Sequence, residues 1–122
     1  MQPEIDDIND IKYFIKNLED DQEFLSEILS SYPQEIEQRI KRVENAVKQK
    51  NANDIEKATH KFIALFSTIF IRTAANLSHE LQSAARSNQI ELCEKLFKEL
   101  QSKIIIISSY IKSIKVNYET RV

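Results

Sequence analysis

The sequence predicts an all-α protein: an antiparallel four-helix bundle with a short additional N-terminal helix. Three observations predict it. The chain has 122 residues with no glycine and two prolines. Tight β-turns, phosphate-cradling loops and nucleophile elbows need positive φ or close backbone approach, so their usual residue is missing. Apolar residues recur at spacings of three and four through most of the chain, which is the helical period. The breaks between these runs are short and polar, with Asn, Asp and Ser positioned to cap helices and make turns. A chain of this length buries about two-thirds of its unfolded surface. Residues 1–122 therefore read as one domain, with the bundle over about 8–114.

Residues 1–7 read as a frayed start. Asp7 or Asn9 can cap a first short helix whose face is Ile8, Ile11, Phe14/Ile15 and Leu18. Glu19-Asp20-Asp21 reads as a loop and N-cap. A long helix follows, with Phe24/Leu25, Ile28, Tyr32, Ile36, Ile40, Val43 and Val47 inward, and Pro33 predicts a kink or brief break in it. Gln49–Asn53 reads as a turn, with Asn53 as N-cap and Glu56 at N3, a loose capping box. The next helix is expected from Asp54 to Phe70. Arg72–Thr73 then marks a turn, with Thr73 as cap of a helix that buries Leu77, Leu81 and Ala84/Ala85 and ends at Ser87–Asn88. The last helix carries Leu92/Cys93, Leu96/Phe97, Leu100, Ile104, Ile107, Ile111 and Ile114 at heptad-like spacing, followed by a frayed tail from Val116.

Composition excludes several function classes. A net charge of −2, with eight acids against two lysines in the first 23 residues, does not describe a nucleic-acid binder. No apolar run approaches a membrane span, and the acidic N-terminus does not read as a signal peptide. A lone Cys93 gives neither a disulfide framework nor a cysteine zinc site, which fits the cytoplasm. His79 lies off its helix's apolar stripe and reads as a solvated residue. No metal-ligand spacing connects it to His60.

Within THKFIALFSTIF (59–70), Ile55, Thr59, Phe62, Phe66 and Ile69 form one helix face, and His60 points away from it. Lys57, Ala64, Ser67 and Ile71 share the side of His60. A neutral imidazole is a competent nucleophile near neutral pH. An outward histidine on a core helix, with small neighbours, is therefore a candidate reactive group.

The segment Ala58–Gln82 resembles the signature of histidine-containing phosphotransfer (HPt) domains. Thr59-His60-Lys61-Phe62 takes the first part of the family's A-H-x-L-K-G pattern, and Leu81-Gln82 takes its later L-E or L-Q pair at the family's distance. The upstream run from Asp20 to His60, an acidic cap, a long helix and a polar turn, is also similar. Ile63, Ala64 and Phe70 stand where the family has Lys, Gly and Gly. The resemblance implies a two-component phosphorelay protein that accepts and donates a phosphoryl group on His60. It implies support from Gln82, and in place of the missing Lys the nearby cations Lys57 and Lys61 are the substitutes. Ile63, Ala64, Ser67 and Ile71 would form the docking surface. The implied partners are a response-regulator receiver domain, which supplies Mg²⁺, and a hybrid sensor kinase. No cofactor is expected on this chain, and a monomer is expected. Two alternatives stand beside it: a receiver-binding adaptor without phosphoryl chemistry, and a structural bundle that dimerises through Ile104–Ile107 on the last helix.

Overall fold

The computed structural model of the chain describes residues 3–17, 20–69 and 72–120, with side chains described for 9–13, 15–17, 20–65 and 72–114. The described residues form five helices: α1 (Pro3–Asn17), α2 (Gln22–Lys48), α3 (Ala52–Ile69), α4 (Arg72–Arg86) and α5 (Ile90–Thr120). α2 packs on α3 and α5, α4 packs on α3 and α5, and α1 lies against α4 and α5.

The predicted apolar stripes make the core. Leu25, Ile36, Val43, Ile55, Phe62, Leu81, Cys93, Leu100 and Ile107 are all but fully buried. Each large member contributes about 1.5–3 kcal/mol through the apolar surface removed from water. Of the pairs the sequence offered, Phe24/Leu25 and Leu92/Cys93 split, with Leu25 and Cys93 buried and Phe24 and Leu92 exposed, whereas Ala84/Ala85 and Leu96/Phe97 are buried together. Phe66, Ile69 and Phe14 have side chains outside the described set, and Leu18, Glu19 and Phe70 lie outside the described residues.

Helix limits differ from expectation at several places, each with a physical reason. α1 begins at Pro3, so Asp7 and Asn9 lie inside it and neither opens it. Proline is well suited to the first helical position, where its missing N–H has no intrahelical partner to lose. α2 opens on Asp21 as expected, the carboxylate accepting from the Phe24 N–H at 3.1 Å. It then runs unbroken through Pro33 to Lys48. Proline inside a helix costs about 3 kcal/mol. Here Pro33 is buried beside Leu29, Tyr32 and Ile36, and the burial of that face offsets the cost.

The α2–α3 turn uses Asn51 as cap, not Asn53. The Asn51 side chain accepts from the Asp54 N–H at 3.1 Å, so Asp54 and not Glu56 occupies the third helical position. Lys50 at φ 55 makes the shift possible. Its N–H donates to the Val47 carbonyl, and the Asn51 N–H donates to that of Ala46, which closes α2 in a Schellman turn. The end of α4 repeats this with Asn88 at φ 56. Two non-glycine residues thus take the left-handed role usually given to glycine.

α4 begins at Arg72, so Thr73 is not its cap. Asp10 of α1 does that work. Its carboxylate accepts from the Arg72 N–H at 3.0 Å and from the Arg72 guanidinium at 2.8 Å. The donor and acceptor are far apart in sequence, and only packing brings them together. α5 continues to Thr120 and does not fray from Val116. In its isoleucine run, Ile104 and Ile107 are buried, Ile106 is half-buried and Ile105 is 62% exposed.

Candidate functional site

His60 lies mid-way along α3, exposed, one residue after a fully buried Thr59. The burial of Ile55, Thr59 and Phe62 fixes the rotation of α3, and that rotation turns position 60 outward. α4 packs beside α3, and it brings Gln82 to the imidazole. Gln82 is only 7% exposed, and its amide nitrogen stands 3.5 Å from His60 Nδ1, the outer limit of hydrogen-bonding distance. The other ring nitrogen, Nε2, has no partner among the described residues.

The two groups sit in an open groove of about 450 Å³ between α3 and α4, lined by Asn53, Glu56, Lys57, His60, Lys61, Gln82 and Arg86. Lys57 and Lys61 are exposed, and neither makes an ion pair among the described residues. Arg86 donates its Nε to Glu56 at 2.8 Å, joining the C-terminal turn of α4 to α3. The groove lining thus carries a histidine with a buried amide behind it, two lysines without ion pairs among the described residues and one acid-paired arginine. Such a site suits an anionic group held against the imidazole.

His60, Gln82, Lys57 and Lys61 therefore come together. Ala64 is exposed one turn beyond His60, with only a methyl group to obstruct approach. Ile63 is half-buried between the core and the surface. Ser67 has a side chain outside the described set, and Ile71 lies outside the described residues. Sequence reasoning missed Glu56 and Arg86 as groove residues. The signal was present in the spacing, because Glu56 precedes His60 by four and Arg86 follows Gln82 by four, which puts each pair on one helix face. Arg39 was also missed. It reaches from α2 to donate to the Lys61 carbonyl at 2.6 Å.

His79 is exposed on α4 as expected. Cys93 is a buried free thiol. Burial pushes its pKa up, its own backbone N–H opposes this, and the Glu94 charge adds to the rise. Among the described residues, no group of three or more His, Cys, Asp or Glu side chains could hold a metal ion, and no helix is long and apolar enough to cross a membrane. A scan against protein-family models, a search of curated proteins and a search of solved structures each found no match.

Proposed function

We propose that this protein is a cytoplasmic histidine phosphotransfer protein, a monomer whose helices α2–α5 form an antiparallel four-helix bundle with α1 added at one side. The observation that carries the reading is the exposed imidazole of His60 with the buried Gln82 amide behind its Nδ1. In the proposed step, the Nε2 lone pair attacks the phosphorus of a receiver's aspartyl phosphate. The new N–P bond forms as the P–O bond to the aspartate breaks, and the electron pair leaves with the carboxylate. This needs the neutral tautomer with its proton on Nδ1. Gln82 suits that tautomer when its amide turns the carbonyl oxygen toward Nδ1–H, and the opposite orientation suits the unreactive tautomer. Lys57 and Lys61 stand where they can offset the phosphoryl charge. Positioning and charge stabilisation supply most of the catalysis in such transfers. Mg²⁺ would come with the receiver.

The test uses a phosphorylated receiver domain mixed with wild type and with His60→Gln. Wild type is expected to gain an acid-labile, alkali-stable phosphate and His60→Gln none. A wild type that gains no such phosphate ends the relay reading. One observation favours a second reading, a receiver-binding adaptor without transfer: the position that would carry the family's lysine is a half-buried Ile63. Receiver binding by wild type and by His60→Ala with equal affinity, with no label on either, would support the adaptor.

A further inference from the structure

Some of this chain's positive charge is paired with nearby carboxylates. Asp10 holds Arg72, Glu56 holds Arg86, Glu44 meets Lys48, and Glu37 meets Lys112. Four other cations are gathered at one place, the α2–α3 seam. Arg39 and Arg42 on α2, with Lys57 and Lys61 on α3, make no ion pair among the described residues. Arg42, Lys57 and Lys61 line an open groove of about 320 Å³ along with the amides of Asn45 and Gln49. Asp54 is the only acid among its lining residues. Arg39, one turn before Arg42, bridges the same seam through the Lys61 carbonyl.

This groove adjoins the His60 groove. Lys57 and Lys61 line both, so they form the wall between them. Like charges four residues apart on a helix repel, and two arginines across the seam add to that repulsion. An anionic partner laid along the cluster would offset this repulsion. An arginine fork, lysine points and side-chain amides together suit a row of carboxylates. They do not suit nucleic acid, because no aromatic side chain lines the groove to stack a base.

We infer that the α2–α3 groove is a docking surface for a carboxylate-rich stretch of the protein that engages His60. The inference rests on the phosphorelay reading for the identity of that partner. Charge of this kind steers encounter and sets orientation, and its effect falls with salt. A partner seated there would have its reacting group directed across the Lys57–Lys61 wall toward the imidazole.

The experiment titrates the full chain, labelled with ¹⁵N, with an oligoglutamate peptide and separately with an oligothymidylate of equal charge. Oligoglutamate is expected to shift amides on α2 and α3 around Arg42 and Lys57, and to bind about tenfold more weakly to Arg42→Glu. Arg42 is exposed and makes no ion pair, so this variant is expected to fold, and its spectrum reports whether it does. A second variant, Lys57→Gln, is expected to weaken binding in the same direction. Three results would overturn the groove: unchanged affinity in both variants, shifts confined to another face, or tighter binding of oligothymidylate. Phosphoramidate, a small donor that needs no docking, keeps the two proposals apart. If it labels His60 in wild type and Arg42→Glu alike while peptide binding is unchanged, the groove alone is overturned. If it leaves wild-type His60 unlabelled, the relay reading fails, and the assignment of the groove to the partner of His60 fails with it.

Discussion

Thr59 and His60 are neighbours with opposite fates, one sealed in the core and the other in solvent. The Thr59 hydroxyl is buried and has no hydrogen-bond partner among the described residues. A buried, unpartnered polar group costs on the order of 1–3 kcal/mol. Thr59→Val keeps the shape and removes the hydroxyl, so it is expected to stabilise the fold by about 1 kcal/mol in urea unfolding. The outward face is untouched, and the label acquired by His60 is expected not to change. At this scale the site was partly legible in the sequence. His60, Lys57 and Lys61 lie on one helix, so periodicity alone placed them. Gln82 was reached through resemblance. Arg39 and Arg42 could not be anticipated, because nothing in a single helix says which neighbour its charged face will meet.

At the scale of elements, Asp10 is the most consequential contact. It caps α4 and pairs with the Arg72 guanidinium at once, with its own side chain 11% exposed and that of Arg72 77% exposed. The cap and the ion pair can be separated. Asp10→Ala removes both and is expected to cost about 1–2 kcal/mol. Asp10→Asn keeps an oxygen for the Arg72 N–H and loses only a solvent-screened pair, which is expected to cost less than about 1 kcal/mol. Urea midpoints of the two variants measure the difference; equal losses would show that the charge, and not the cap, is what matters. The same contact explains a limit of sequence reading. Thr73 was the local choice for a cap, but the carboxylate that does the capping comes from another helix. At the α2–α3 turn the error was smaller: Asn51 and Asn53 are equally good caps by composition, and the left-handed Lys50 decided between them. Local preference alone predicts a kink or brief break at Pro33; burial of that face opposes the break, and the helix runs through it.

The whole molecule carries a pH dependence through Cys93. Burial raises the thiol's pKa, with Glu94 adding to the rise and the residue's own N–H opposing it. The folded state therefore holds this proton more tightly than the unfolded chain does. The resulting stability is fully present below the ordinary thiol range and is lost as the pH rises through it toward the folded value. Wild type is expected to lose stability in mild alkali with a steeper slope than Cys93→Ala, measured as urea midpoint against pH. A thiol reagent is expected to label Cys93 only as the protein unfolds. The overall order of helices and the inward stripes were legible, because both follow from a period that every helix repeats. Which faces join at the α2–α3 and α3–α4 seams was not, and both grooves form there.

The left-handed Lys50 and Asn88 have a consequence beyond the turns they close. A residue with a Cβ in that conformation is disfavoured by about 1–2 kcal/mol, less for Asn, so each turn carries local strain. A chain of average composition and this length would hold roughly eight glycines, and this one has none. Each glycine replaced by a residue with a side chain narrows the unfolded ensemble by about 0.4–1 kcal/mol where the native conformation tolerates it. Among the described residues this strain falls at two positions, whereas the restriction acts along the entire denatured chain. Part of what keeps this protein folded is therefore invisible in its contacts: the chain has fewer places to go when it lets go of them.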